Sequence, residues 1–284
     1  MSIRDILIEQ IDQNLPEKEC AVLLSGGVDI ISIGLSAHYL NKPIHGYSFQ
    51  LEGNPSYDFS KAEEVCDTMG WNFTGIEIPT DKLADDFHRL LDFGCERKTH
   101  FECVYPFLHV YPEIKEECVL SGWGADSYYG LSRSALDTQK GNVQTTKERL
   151  DQFRERFFQP EECAGYLWHK KVSDHWNKKL ITPYLSEPVR EFLDQFDWFE
   201  LNRPTQKHHV RTSFDEFDTI KVNQHSNLQI ESGIDHLFET LLNDPEINFL
   251  RRTRMLDVYR DWVNKSSQGS LNEFTIGRPH ESSF

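Results

Sequence analysis

Five apolar residues in a row, Cys20 to Leu24, run directly into Ser25-Gly26-Gly27, and a helix-type stretch follows from Val28 to Leu40. An unbroken apolar run of this length suits a strand buried on both faces, which is the habit of parallel sheets. Strand, glycine turn and helix together open a β-α-β unit. The pattern then repeats. Ile44–Phe49 reads as a strand, Asp58–Met69 as a helix with Ala62, Val65, Cys66 and Met69 on one face, and Asn72–Ile78 as a third strand. Leu83–Phe93 and Phe101–Tyr111 read as helices, and Cys118–Leu120 as a fourth strand ending at Ser121-Gly122. An amphipathic helix over 3–14, with Ile3, Ile6, Leu7 and Ile11 on one face, precedes them and ends before Pro16. This alternation predicts an α/β fold with a doubly wound parallel sheet.

Beyond about residue 135 the character changes. Segments 144–158, 161–179, 186–196, 234–243 and 246–264 read as helices, and strand-like runs are scarce. The polar link from Asp137 to Gln144 reads as a flexible loop, and the tail from Ser266 as irregular. The expected organisation is a nucleotide-binding core over 1–135 with a helical, substrate-side extension over 136–284, the two packed as one domain.

The chain has 284 residues and a formal net charge of −16. That acidity argues against direct binding of nucleic acid or anionic membranes. No stretch approaches the roughly 20 apolar residues that span a bilayer, and the polar N-terminus does not read as a signal peptide. Six cysteines, with no C-x-x-C pair, read as reduced thiols of a cytoplasmic protein rather than as a zinc site.

Ligands of open α/β sheets sit at the carboxyl ends of the strands, where Ser25, Gly26 and Gly27 fall. Paired glycines let backbone N–H groups approach an anion, and the next helix aims its positive end at the same place. Asp29, in the first helical turn, suits Mg²⁺ on a polyphosphate. The segment lacks the G-x-x-x-x-G-K-[ST] and G-x-G-x-x-G patterns, and taken alone it is equally compatible with a plain strand–turn–helix connection. The second turn, Ser121-Gly122-Trp123-Gly124-Ala125-Asp126, changes the balance. Two strands of one sheet end in glycine turns with an aspartate four or five residues after the serine, so both can face one nucleotide.

These residues resemble the synthetase domain of asparagine synthetases, within the N-type ATP pyrophosphatases, over roughly residues 18–235. The family's loop reads S-G-G-x-D-S, matched here except that its last serine is Ile30. The family's second signature, S-G-E-G-A-D-E, is similar to Ser121–Ser127, with Trp123 in place of its glutamate. Lys207-His208-His209-Val210-Arg211 resembles the family's K-x-x-x-R segment. The resemblance implies an adenine nucleotide alpha hydrolase-like fold, ATP and Mg²⁺ as cofactors, and adenylation of a substrate with release of pyrophosphate. On it, Leu23, Phe49, Ser121 and Gly122 line the adenosine site, Ser25, Gly26, Gly27 and Asp29 hold pyrophosphate and Mg²⁺, and Asp126 is the second metal carboxylate. Lys207 reaches the polyphosphate, Arg211 joins the nucleotide-binding set, and Lys207, Asp126 and Ser25 are the expected catalytic groups. Such groups stabilise charge building on a leaving pyrophosphate.

The departures bear on the substrate. Ile30 removes one hydroxyl donor, which is worth about 3 kcal/mol at a transition state. An indole at 123 cannot accept a proton, and β-lactam synthetases resemble this chain in having an aromatic residue there, so aspartate is not the expected substrate. With Ser2 after Met1 and some 18 residues before the first strand, no glutaminase half is expected. The amine would come from ammonia, a separate glutaminase or the small-molecule substrate itself. Two alternatives stay open: an enzyme modifying a nucleotide or nucleobase, and a degenerate nucleotide-binding protein without catalysis. Of the other polar groups, Glu113, Glu116 and Glu117 read as a solvated acidic face, Arg251, Arg252 and Arg254 as surface ion pairs, and Tyr166, Trp168 and Trp176 as helix packing. Glu231 and Asp235 are weaker candidates for an acceptor pocket.

Overall fold

The computed structural model describes residues 1–16, 18–158, 164–222 and 228–275. Among the described residues five strands form one sheet: β1 (Cys20–Leu23), β2 (Ile44–Leu51), β3 (Asn72–Ile78), β4 (Cys118–Leu120) and β5 (Lys179–Ile181). Their order is β3-β2-β1-β4-β5, and every pairing is parallel. The chain steps outward from β1 to β3 on one side, then returns to lay β4 on the other. The order therefore reverses between β1 and β4, and the carboxyl ends there mark the crevice position at which ligands of such sheets bind. Both glycine turns leave the sheet at this crevice.

Helices α1 (Ile3–Asn14), α2 (Val28–Tyr39) and α3 (Tyr57–Met69) cover one face. Helices α4 (Leu83–Asp92), α5 (Lys98–Val104) and α6 (Phe107–Val110) cover the other. The short α7 (Ala125–Tyr128) follows the second glycine turn. The remaining chain supplies α8 (Val143–Phe157), α9 (Ala164–His175), α10 (Glu187–Leu193), α11 (Trp198–Asn202) and α12 (His208–Ser213), then α13 (Leu228–Glu231), α14 (Ile234–Glu239) and α15 (Met255–Thr275). These do not form a separate layer. Leu150, Val189, Leu193 and Val210 join the core on the α2 face, and Val172, Phe238, Val258 and Tyr259 join the core on the α4 face.

Several expectations for the second half are corrected. The segment read as one helix over 161–179 leaves the helix at His175, and its end becomes strand β5; residues 161–163 lie outside the described set. Asn177 makes the exit with φ +56°, and Lys178 N–H donates to the Ser173 carbonyl. A left-handed residue that closes a helix in this way is usually glycine, with asparagine the common substitute. Helix 246–264 starts only at Met255, because Asp244 accepts from the N–H groups of Glu246 and Ile247, and Asn248 ties the Leu242 and Arg252 carbonyls into a loop. The helix then continues through Ser266 to Thr275; residues 276–284 lie outside the described set. Phe101–Tyr111 is two helices broken at Pro106. The polar link at 137–144 is a 3₁₀ segment, Arg133–Gln139, followed by Asn142 capping α8. Among the described residues no helix is long and apolar enough to cross a membrane.

Candidate active site

Gly26 takes φ +66°, and a Cβ there would lie 2.7 Å from Cβ and Cγ of Lys61 on α3. Only glycine fits both the left-handed turn and this close approach. Gly27 then serves as N-cap of α2 with no side chain of its own, which leaves the first N–H groups of that helix directed at the crevice. Asp29 is the second residue of α2. The second turn meets the first directly: a Cβ on Gly122 would stand 3.1 Å from the Asp29 Cβ and 3.1 Å from the Ile30 nitrogen. Gly124, with φ +96°, caps α7 and places Asp126 in its first turn. Ser121 is buried, and its hydroxyl accepts from the Trp123 N–H at 3.3 Å. Leu23, at the end of β1, and Phe49, two residues beyond its partner Tyr47 on β2, both pack against the core on the α4 face.

Lys207 joins the two turns. Its ammonium lies 2.5 Å from Oδ2 of Asp29 and 2.5 Å from Oδ1 of Asp126. The residue is buried and left-handed, with φ +58°, as N-cap of α12. Asn202 steadies that backbone, since its Oδ1 accepts from the Lys207 N–H and its Nδ2 donates to the Tyr129 carbonyl. Arg211 follows one turn later, half-buried, with its Nε donating to the Gln206 carbonyl. Ser32 donates to the Asp29 carbonyl and shares a hydrogen bond with the Tyr184 hydroxyl.

The electrostatics follow from burial. It pushes the Asp29 carboxyl up to about 6; Lys207 pulls against this, and the nearby Asp126 carboxylate adds to it. Burial also disfavours the Lys207 ammonium, but Asp126 and Asp29 together outweigh it and hold the pKa above the ordinary lysine value. Asp29 Oδ1 is buried without a hydrogen-bond partner. Two converging carboxylates, one with an unused buried oxygen, make a donor set suited to a hard divalent cation.

The sequence-predicted residues Ser25, Gly26, Gly27, Asp29, Ser121, Gly122, Asp126, Lys207 and Arg211 thus gather at one crevice. Ile30, where the family's serine would stand, points into the core. Trp123 packs against Phe157 and Tyr166, with ring centroids 5.9 and 5.4 Å away, and Gly165 lies against its indole. His209 packs on Phe196, with ring centroids 4.2 Å apart. Asn202 and Lys61 are not legible as site residues, because nothing in the sequence marks a left-handed lysine or a side chain lying across a glycine.

Glu116 corrects the reading of an acidic surface. It is buried and accepts from the Tyr47 hydroxyl at 2.8 Å, while His45 bridges it to Thr74, also with 2.8 Å contacts. This network, which Glu19 borders, lies at the amino edge of the sheet, opposite the crevice. Arg252 and Arg254 do form ion pairs, with Asp261 and Asp257.

The family described as asparagine synthase matches residues 2–236. No curated protein matches the chain at a significant level. Among solved structures, an NMN synthetase from Francisella tularensis is similar at 13% identity and TM-score 0.34, covering 80% of this chain and 96% of that one. An NH3-dependent NAD synthetase from Campylobacter jejuni is similar at 12% identity and TM-score 0.32, covering 79% and 95%. A predicted subunit of tRNA methyltransferase from Methanocaldococcus jannaschii is similar at 13% and 0.33, covering 74% and 94%.

Proposed function

The chain belongs to the asparagine synthase family, and we propose that it is an ATP-dependent carbon–nitrogen ligase that adenylates a small carboxylate or related acceptor and then joins it to ammonia or an amine. The observation that carries this reading is the Lys207 ammonium, 2.5 Å from both Asp29 and Asp126. Three segments distant in sequence deliver one buried cation and two carboxylates to the edge of an anion cradle.

Each group has a task in such a reaction. The N–H groups of the Ser25–Gly27 turn and the start of α2 bind the polyphosphate, with the Ser25 hydroxyl as a further donor. Lys207 meets the charge that grows on departing pyrophosphate, and its burial strengthens that interaction. Leu23 and Phe49 offer an apolar floor for the adenosine, beside Ser121 and Gly122. Mg²⁺, held by Asp29 and Asp126, would neutralise phosphate charge and act as a Lewis acid. Arg211 adds a second cation near Asp29. With the indole at 123 turned to Phe157 and Tyr166, that side of the site offers an apolar wall instead of a carboxylate. An acceptor other than aspartate fits this better.

The test is direct. Purified protein with ATP, Mg²⁺, a panel of carboxylates and ammonia should release AMP and pyrophosphate in a carboxylate-dependent way. Asp29→Ala should abolish both ATP binding and release. Formation of ADP and phosphate instead, or no ATP binding by the wild type, overturns the proposal.

A further inference from the structure

We infer that Lys61 is a second phosphate ligand of the Ser25–Gly27 loop, acting from α3; the inference rests on the nucleotide-binding reading above. Lys61 is a buried lysine that the chemistry so far leaves unused. Its Cβ and Cγ form the surface on which Gly26 rests, since a Cβ on that glycine would lie 2.7 Å from each. The Asp58 carbonyl of the same helical turn is 3.4 Å from that point, so the loop is seated on the first turns of α3.

Direction matters as much as proximity. Helical side chains lean toward the helix N-terminus. The N-terminus of α3 lies at the carboxyl end of β2, the same edge of the sheet at which the glycine loop leaves β1. The Lys61 stem therefore starts toward the crevice, and its amine stands 5.9 Å from the ring of Tyr57, the first residue of the helix, within reach of Glu64.

Without ligand, the ammonium is held by Glu64, at 2.6 Å. The two ends of that pair are unequal, with the lysine side chain 9% exposed and the glutamate 56%. An exposed carboxylate three residues along a helix is a weak, solvent-screened partner. A bound polyphosphate carries more charge than one carboxylate, so the amine has reason to exchange one anion for the other. Glu64 then serves as the resting partner of Lys61 and competes with phosphate.

Lys61→Met separates charge from packing, because methionine keeps the stem that supports Gly26. Binding of inorganic pyrophosphate with Mg²⁺, and of ATP with Mg²⁺, would be followed by calorimetry at low and high salt. Lys61→Met is expected to weaken pyrophosphate by about tenfold or more, the size of one charge-assisted contact, and to flatten the salt dependence. Lys61→Arg should keep most of the affinity, which guards against a packing defect, and Glu64→Gln should bind as tightly as wild type or tighter. Wild-type affinity in Lys61→Met overturns the inference and leaves the proposed function standing. A wild-type protein that binds neither pyrophosphate nor ATP overturns the proposed function, and this inference with it.

Discussion

At the scale of single residues, Asp29 makes a pH-dependent prediction. Its folded pKa of about 6 stands above the ordinary aspartate value of about 3.9. Between those values the folded chain keeps a proton that the unfolded chain releases, so the stability this group contributes falls as pH rises through that window. Ligand binding needs the opposite form. Affinity for ATP and Mg²⁺ is expected to drop as pH falls below about 6, and calorimetry across pH 5 to 8 would show it. Asp58 also lies near 6, pushed up by burial with Glu231 adding to it. Lys207→Met tells them apart, since it should move the Asp29 midpoint upward, whereas Asp58→Asn should not move it. Lys207→Met is also expected to lower stability by about 3 kcal/mol in denaturant melts. That is the low end for breaking a buried pair, because Asp126 is a third exposed and screened. Gly26→Ala should weaken the fold by at least about 1 kcal/mol from its left-handed backbone alone, with the Lys61 stem adding a clash. The glycines and aspartates of the site were legible because short motifs carry them. Lys207 is carried by its K-x-x-x-R match as well, but its left-handed backbone and its partner Asn202 are not legible, since they arise only when Asn202 at the end of α11 meets the Tyr129 carbonyl and the Lys207 N–H.

Elements show a different division. Strands β1 and β4 announce themselves by short apolar runs that end at Ser-Gly turns, and β2 and β3 by apolar residues alternating with polar ones, as in Tyr47-Ser48-Phe49-Gln50-Leu51 and Ile76-Glu77-Ile78. Strand β5 has three residues and no alternation, and it directly follows a helix, so periodicity merges it with α9. The one local signal is Asn177 at the helix end. At the amino edge of the sheet, three glutamates within five residues look alike in sequence. Only Glu116 faces inward, because the turn before β4 aims it at Tyr47 and His45. Burial opposes its ionisation, but hydrogen bonds from the backbone N–H, Tyr47 and His45 prevail, and its pKa lies below the ordinary value. Its stabilising contribution is therefore present above the ordinary glutamate range and lost as pH falls through the lowered value. Glu116→Ala leaves a buried tyrosine hydroxyl and His45 short of a partner. A loss of about 2 kcal/mol in denaturant melts is expected, with ATP affinity unchanged because the crevice lies at the opposite edge.

For the whole molecule, the break in sequence character near residue 135 does not mark a break in the packing. Strand β5 comes from beyond it and covers the edge of β4. Both faces of the sheet take side chains from the second half: Leu150, Val189 and Val210 on one, Val172, Phe238 and Tyr259 on the other. Lys207 comes from beyond it too, so the cradle and its buried cation belong to different halves of the chain. A fragment ending at residue 135 would expose the β4 backbone edge and large apolar areas above and below the sheet. It is expected to lack a cooperative unfolding transition, to bind a hydrophobic dye and to show no affinity for ATP. A fragment that melted cooperatively and bound ATP would mean that the first half folds without these contacts. In that case Lys207 completes a nucleotide site that already exists, and its place between Asp29 and Asp126 serves the second substrate more than the first.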